Sequence, residues 1–251
     1  MSAGNMKPFL ILQLRPEDIA SDGEFEAFLK YGGLSENQVH RVRMEREHVP
    51  LGMLDNYSGV MVGGGPSNVS DSLEKKTDTE KRFEHELREL LKEIVAHDFP
   101  YFGMCYGFGF LVQNTGGLVS KEKFSEPVCA VDITLREEAL DDPLTQGLPH
   151  TFKAVVGHKE ACQRLPDGAV WLASSVTCPY QMIRLKQNVY GAQFHPELDA
   201  QGVALRIDVY KYARYFPPEQ AEELKVAFLK ENIIIPTQIL RRFVARYAVG
   251  M

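Results

Sequence analysis

The sequence lacks long apolar runs and has few cysteines. No stretch approaches the ~20 consecutive apolar residues that a membrane-spanning helix requires, and the first eight residues lack the apolar core of a signal peptide. The four cysteines, Cys105, Cys129, Cys162 and Cys178, show no CxxC spacing, which indicates reduced thiols rather than a disulfide framework or a zinc site. We therefore expect a cytoplasmic protein with no membrane partner, no metal and no other cofactor.

Positive charge is also scarce. Lysine and arginine total 28 against 34 aspartates and glutamates, which gives a formal net charge of -6. A surface that binds nucleic acid needs an excess of basic side chains, because it must neutralise phosphates. No general nucleic-acid partner is predicted, although Arg241, Arg242 and Arg246 form a small basic patch.

Short apolar runs alternate with amphipathic segments in the first half of the chain. The runs at 9–14, 59–62 and 101–104 are typical of buried strands, whereas apolar residues recur at helical spacing over 78–97. This alternation predicts an α/β fold, a three-layer sandwich with a mostly parallel central sheet and helices on both faces. Further predicted elements are a helix at 25–31, a strand at 39–44 and a helix at 107–113.

The second half of the chain changes character. Its strand-like segments, with few long helices between them, predict antiparallel additions to the sheet at 128–135, 151–156, 171–174, 181–185 and 189–193. A helical pattern returns from 201 and is interrupted at 217–218 and at 236 by proline. We expect one domain over 1–251, with a core at about 8–213 and a helical extension at about 214–251.

The stretch 102–109 (FGMCYGFG) places Cys105 between a predicted strand and a predicted helix. A tight strand–turn–helix elbow of this kind projects a nucleophile above the sheet edge. The N-terminus of the helix favours a thiolate and can stabilise an oxyanion. A buried structural cysteine is also common, so the elbow alone leaves both interpretations open.

The stretch 190–197 (YGAQFHPE) delivers His195 from a predicted strand, with Glu197 two positions later. A thiol nucleophile needs a base, and the base needs a carboxylate to orient it. His195 and Glu197 are the candidates for these roles. Taken alone, the same sequence is more typical of a surface His-Pro turn with a solvated glutamate.

A glycine loop, 62–67 (VGGGPS), follows the predicted strand at 59–62. Such a loop at the carboxyl end of a parallel strand can present backbone N–H groups to an anion. A plain loop is the alternative. Pro66 and Ser67 do not fit the Gly-Lys-Ser/Thr ending of a phosphate-binding loop.

In this order, the three motifs resemble those of the class I glutamine amidotransferases, most closely the glutaminase domain of GMP synthetases. The resemblance covers about 59–197, with 156–160 (VGHKE) in the place of a further family motif. It implies a flavodoxin-like fold in which Cys105 attacks the glutamine side-chain amide, His195 acts as the base and Glu197 is its partner. By position, the resemblance also implies an oxyanion hole at Gly65 and Tyr106, and substrate contacts at Gly64, Gly109, Gly157, His158 and Lys159.

Two departures from the family pattern concern the substrate rather than the triad. Gly109 stands where the family usually has glutamine, which helps to hold the bound amino acid. The run Gly157-His158-Lys159 stands where Ser-His-Gly or Asn-His-Gly is usual.

Three functions follow as hypotheses. The leading one is a stand-alone amidotransferase subunit that hydrolyses glutamine through a thioester and passes ammonia to a separate synthase partner, with a homo-oligomer as an option. The second is a γ-glutamyl peptidase or hydrolase with the same triad, because Gly109 leaves room for a bulkier substrate. The third is a non-catalytic binding or regulatory module, which the joint presence of Cys105, His195 and Glu197 disfavours.

Overall fold

The computed structural model of the chain describes residues 7–212, 216–231 and 233–248. Strands and helices alternate in the first half, and strands dominate the middle. The described strands are β1 (Phe9–Gln13), β2 (Val39–Arg43), β3 (Gly59–Val62), β4 (Tyr101–Met104), β5 (Leu118–Ser120), β6 (Glu126–Leu135), β7 (Thr151–His158), β8 (Ala161–Arg164), β9 (Ala169–Ser174), β10 (Met182–Leu185) and β11 (Val189–Ala192). The described helices are α1 (Asp18–Gly32), α2 (Asp78–His97), α3 (Tyr106–Asn114), α4 (Ala200–Val209), α5 (Ala221–Lys230) and α6 (Ile235–Tyr247).

One large sheet organises the part of the chain that the structure describes, with strand order β2-β1-β3-β4-β11-β10-β9-β6-β7. The strands from β2 to β11 in this order run parallel, and those from β10 to β7 continue the sheet antiparallel. Met104 pairs with Ala192 and Gly103 pairs with Val62. The chain segments that follow β3, β4 and β11 therefore leave the sheet side by side.

Helices cover both faces of the sheet. The side chains of β1 point alternately to the two faces, so each face presents apolar residues to its own helices. Leu10 and Leu12 pack in a cluster with residues of α2 and α3, whereas Phe9 and Ile11 pack in a cluster with residues of α1 and α6. The predicted α/β sandwich, with helices on both faces and antiparallel strands added by the second half, is confirmed.

Helix α2 matches its predicted bounds because its sequence marks both ends. Thr77 and Glu80 form a reciprocal capping box at the N-terminus, and Asp98 ends the helix in the left-handed conformation. Helix α1, in contrast, was predicted at 25–31 and begins at Asp18. Its first turns bury Ser21 and Glu24, so their inner face shows no apolar periodicity.

Three further differences concern shorter features. Strands β5 and β8 form a small sheet that the sequence analysis missed. Pro236, expected to break a helix, lies at the beginning of α6, where its missing N–H costs nothing. The predicted boundary between core and extension, at 213 and 214, lies outside the described residues. Among the described helices, none has both the length and the apolar content needed to cross a bilayer.

Helix α6 belongs to the predicted extension, and it packs directly on the sheet. The ring of Phe243 lies 5.4 Å from that of Phe102 on β4 and 6.2 Å from that of Phe9 on β1, centroid to centroid. Phe243 is fully buried. Helix α6 therefore covers one face of the parallel strands together with α1.

Candidate active site

Cys105 forms a strained elbow between β4 and α3. Its backbone has φ 51° and ψ -97°, in the left-handed half of conformational space that a non-glycine residue occupies at a cost of about 1–3 kcal/mol. The helix that follows starts so close to β3 that a Cβ atom on Gly107 would lie 2.6 Å from the carbonyl oxygen of Val62. Position 107 therefore requires glycine, and the elbow exposes Cys105 at the carboxyl edge of the sheet.

His195 and Glu197 follow β11 and reach the same edge. The backbone N–H of His195 donates to the carbonyl oxygen of Val155 on β7 at 3.0 Å, which fixes the chain there. Its Nδ1 lies 2.8 Å from Oε1 of Glu197, and the Cys105 side chain lies close enough to the imidazole to raise its pKa. Both side chains are buried. The structure thus brings the candidate nucleophile Cys105, the candidate base His195 and the candidate orienting group Glu197 together.

The charges of this trio depend on one another. Burial alone would lower the pKa of His195, but the Glu197 carboxylate and the Cys105 sulfur raise it to about 9. Burial alone would raise the pKa of Glu197, but His195 and Arg206 hold it well below its usual range. A protonated imidazole beside an ionised carboxylate is therefore the stable arrangement at neutral pH.

A buried ionic network supports Glu197 from behind. Arg206 of α4 donates from Nη1 to Glu197 Oε1 and from Nη2 to Glu24 Oε1, both at 3.3 Å. Arg15 donates to the same Glu24 oxygen at 2.8 Å, and Gln13 donates to the other at 2.9 Å. Arg15, Glu24 and Arg206 were not predicted as site residues, because charged residues in a sequence are typical of a surface and only the fold pairs these three.

The glycine loop after β3 lies against the His195 imidazole. A Cβ atom on Gly64 would come 2.8 Å from Cε1 of His195 and 3.3 Å from Cβ of Cys105, so a side chain at 64 would displace them. Gly65 and Tyr106 both line a hollow with Cys105. Tyr106 is the first residue of α3, where a backbone N–H has no partner within its helix.

The polar hollow extends from Cys105 across α3 and the end of β7. It brings together most of the residues that the resemblance assigns to substrate, whereas Gly64 contacts His195 instead. Its lining includes Gly65, Cys105, Tyr106, Gly109, Gly157, His158, Lys159 and Glu160.

Glu160 was not predicted, and its carboxylate faces Gly109. Oε1 accepts from the backbone N–H of Val69 at 2.6 Å and Oε2 from that of Ser70 at 2.9 Å. A Cβ atom on Gly109 would lie 3.8 Å from Oε1 of Glu160. The space that a glutamine at 109 would enter is therefore bordered by a carboxylate.

The side chain of His158 braces the polar hollow from within the protein. Its Nδ1 bonds to the carbonyl oxygen of Glu160 and its Nε2 to Glu126 Oε2, each at 2.8 Å. Glu126, His158 and Cys178 lie within 4.8 Å of one another, as metal ligands would. Glu126 also accepts from Gln181 at 2.8 Å and from Thr177. Hydrogen bonds thus account for this cluster.

An apolar hollow opens on the other side of Cys105. It encloses about 70 Å³ and contains His195, Arg15 and Arg206 among apolar walls. Those walls are Val128, Val155, Leu198, Val203, Ile207 and Phe216, supplied by β6, β7, α4 and the segments beside α4. The candidate nucleophile therefore stands between a polar and an apolar space.

The chain is similar to known proteins in sequence and in fold. Residues 25–203 match the family model described as glutamine amidotransferase class-I. The GMP synthase (glutamine-hydrolyzing) of Thermosipho africanus is 32% identical over 147 residues, which are 57% of this chain and 25% of that protein. The chain thus spans about a quarter of the length of such relatives.

Two further relatives are matched over more of their length. One subunit of the GMP synthase (glutamine-hydrolyzing) of Thermoplasma volcanium is 30% identical over 166 residues, covering 64% of this chain and 75% of that protein. A crystal structure of a glutamine amidotransferase from Thermotoga maritima has a TM-score of 0.75 at 19% identity, covering 97% of this chain and 99% of the other. At that identity the structural match shows a common fold.

Proposed function

Since the chain belongs to the class I glutamine amidotransferases, a family of enzymes, we propose that it hydrolyses the side-chain amide of glutamine. Cys105 is the proposed nucleophile, His195 the base and Glu197 the group that orients it. The observation that carries the proposal is the buried His195–Glu197 pair, joined at 2.8 Å, which lines one hollow with Cys105 at the head of a strained elbow.

In the first step, the sulfur of Cys105 attacks the amide carbon as a thiolate, with the proton held beside it on the His195 imidazolium. Negative charge develops on the amide oxygen, and the backbone N–H groups of Gly65 and Tyr106 are the proposed donors that stabilise it. Glu197 stabilises the His195 imidazolium. The ionised state of Glu197 at neutral pH supports this role.

In the second step, the carbon–nitrogen bond breaks and His195 gives its proton to the leaving ammonia. A thioester of the γ-carboxyl group with Cys105 remains. Water, deprotonated by His195, then attacks the thioester and releases glutamate with a free thiol. One imidazole thus serves as acid and then as base.

The amino-acid end of the substrate is proposed to lie in the polar hollow. The Glu160 carboxylate suits the α-ammonium group, and the Lys159 ammonium group suits the α-carboxylate. Glu160, which follows β7, supplies the polar contact that Gly109 cannot provide. The polar hollow therefore still offers a partner for the α-ammonium group without a glutamine at 109.

A glutaminase assay tests the proposal. Released glutamate and ammonia are measured for the wild type, for Cys105→Ser and for Cys129→Ser, whose cysteine is a half-buried thiol of β6. Loss of a catalytic nucleophile costs on the order of 10³-fold or more in turnover. We expect that loss for Cys105→Ser and wild-type rates for Cys129→Ser; undiminished turnover by Cys105→Ser would refute the mechanism.

We propose further that the ammonia passes to a separate synthase partner. The relatives that are named as single subunits of GMP synthase support an arrangement in separate chains. The test combines the chain with a synthase subunit from the same genome and measures amination of the synthase's acceptor. Cys105→Ser should abolish amination from glutamine and leave amination from free ammonium intact. Amination that requires this chain even with ammonium would contradict the proposed division of labour.

A further inference from the structure

The two hollows meet at the Cys105 sulfur, but they contain different parts of the catalytic machinery. Gly65, Cys105 and Gly157 line both. Tyr106 lines the polar hollow but not the apolar one, and His195 lines the apolar hollow but not the polar one. The oxyanion side and the proton-donor side of the nucleophile therefore open into different spaces.

The position of His195 fixes the direction of the leaving group. A general acid must lie within hydrogen-bond reach of the atom that it protonates, which here is the amide nitrogen. The acyl part of the substrate occupies the polar hollow, so the nitrogen points toward His195. Anything attached to that nitrogen enters the apolar hollow.

The apolar walls of this hollow offer no favourable contact to ammonia as a leaving group. Val155, Val203 and Ile207 are almost completely buried, and a polar molecule gains nothing from contact with them. A cavity of 150 Å³ holds a benzene molecule, so the 70 Å³ here accommodates roughly two to four carbon atoms. Such a space is matched to a short aliphatic group.

Resting on the thioester mechanism proposed above, we propose that the chain also cleaves γ-glutamyl amides whose nitrogen carries a short, uncharged aliphatic group. The apolar hollow is the binding site for that group. Arg15 and Arg206 line the same hollow, so a cationic group would lie beside two guanidinium groups. A positively charged group on the leaving amine is therefore disfavoured on electrostatic grounds.

The reaction balances as it does for glutamine. The bond between the γ-carbon and the substituted nitrogen breaks, and a bond between that carbon and the Cys105 sulfur forms. The thiol proton passes through His195 to the leaving alkylamine. Water then cleaves the thioester, giving glutamate and the free thiol, with no change in oxidation state.

The test compares amides with the same acyl group. Glutamine, γ-glutamyl-methylamide, γ-glutamyl-isobutylamide and γ-glutamyl-(2-aminoethyl)amide are each incubated with the full chain, and kcat/KM is measured from glutamate release. The isobutyl compound adds three carbon atoms to the methyl compound, and each buried carbon is worth roughly fourfold. We expect kcat/KM for the isobutylamide to exceed that for the methylamide by roughly tenfold or more, and the aminoethyl amide to fall below both.

Two variants locate the effect. Val203→Phe fills the apolar hollow and should reduce the isobutyl-to-methyl ratio of kcat/KM toward one. Phe216→Ala widens the hollow and should move the preference to longer chains, which keeps the test decisive if Val203→Phe folds poorly. Val226→Phe makes the same change at a half-exposed position of α5 and should keep the wild-type ratio.

The outcomes separate this inference from the proposed function. Hydrolysis of glutamine with no preference for isobutylamide over methylamide would overturn the inference and leave the glutaminase proposal standing. A preference unaffected by both Val203→Phe and Phe216→Ala would also overturn the assignment of the hollow. Failure of the folded wild type to hydrolyse any of the four amides would overturn both.

Discussion

At the scale of single residues, the four cysteines occupy sharply different environments. Burial raises the pKa of the Cys129 thiol, and raises that of Cys162 and of Cys178 to about 12. Cys105 instead lies at the N-terminus of α3 beside the His195 imidazole, whose pKa is raised to about 9. A thiolate is the reactive form of cysteine. These environments therefore make Cys105 the most reactive of the four thiols.

We predict that Cys105 is alkylated first. Brief treatment with iodoacetamide at pH 8, followed by peptide mass spectrometry, should label Cys105 on the order of tenfold faster than the other cysteines. His195→Gln provides the control, because removing the imidazole should slow labelling of Cys105 and leave Cys129 unaffected. Earlier labelling of Cys162 or Cys178 would contradict the assignment of the elbow.

The raised pKa of His195 predicts how stability depends on pH. A group whose pKa is higher in the folded state than in the unfolded state stabilises the folded protein fully at pH values below its unfolded pKa. For His195 that unfolded pKa is 6.5, and the stabilisation is lost as the pH rises through the folded pKa of about 9. Urea unfolding should therefore show His195→Gln to be less stable than the wild type at pH 6, by on the order of 3 kcal/mol. The deficit should shrink by pH 10, and a deficit that stays constant would argue against the ion pair with Glu197.

The space around Gly109 predicts the effect of restoring the family's glutamine. A Cβ atom at 109 makes ordinary contacts, with Val69 Cγ2 at 3.6 Å and Glu160 Oε1 at 3.8 Å, so we expect the amide of a glutamine here to approach Glu160. It would then compete with the α-ammonium group of the substrate for the carboxylate. We predict that Gly109→Gln raises KM for glutamine roughly ten- to a hundredfold, the worth of a charged hydrogen bond.

Gly109→Ala is the matched control, because it adds the Cβ atom without the amide. Steady-state kinetics should give it a wild-type KM. A KM that Gly109→Gln lowers would show that the glutamine itself binds substrate, and that Glu160 does not hold the ammonium group.

At the scale of elements, α4 joins the triad to the network behind it. The helix begins at Ala200, three residues after Glu197, with Asp199 capping its N-terminus by accepting from Gly202 N–H at 2.7 Å. Its second turn places Arg206 between Glu197 and Glu24. The orientation of α4 therefore sets the position of the orienting carboxylate.

Arg206 is predicted to act as a positioning residue. Arg206→Met leaves Glu197 with one fewer donor, so kcat for glutamine should fall roughly tenfold while KM changes little. The pKa of His195, followed by NMR, should rise because a nearby positive charge is gone. Arg206→Lys should recover part of kcat. A change in KM alone would assign Arg206 to substrate binding instead.

Elements also differ in how far their sequences reveal them. Helix α2 and strands β3 and β4 were predicted at the residues where they occur, because apolar periodicity and caps mark them. The first turns of α1 escaped prediction because Ser21 and Glu24, which they bury, are polar. Strands β5 and β8 escaped because each is short and only partly buried.

At the scale of the whole molecule, the sheet order decides which motifs meet. The three motifs were recognisable along the sequence, and parallel pairing of β3, β4 and β11 explains their convergence. The residues that support them were not recognisable. Arg15 and Arg206 are far apart in sequence and become neighbours only through tertiary packing around Glu24.

The packing of α6 predicts its contribution to global stability. Phe243 is fully buried between α6 and the parallel strands, and removing such a ring costs about 3–5 kcal/mol. Phe243→Ala should lower the free energy of unfolding by that amount in urea titrations, while glutaminase activity below the transition remains. Tyr212→Ala removes an aromatic side chain that is 80% exposed and should change stability by less than about 0.5 kcal/mol. Equal stability of both variants would refute this role for α6.

The place of α6 in the chain has a consequence for synthesis. A ribosome that has released residues up to Glu197 has delivered every strand of the parallel sheet and all three members of the proposed triad. Phe9 and Phe102 nonetheless lack the ring of Phe243 until residues 235–247 have also emerged. The nascent chain therefore passes through a stage in which α1 is the only described helix that covers this apolar sheet face, the kind of surface to which chaperones bind.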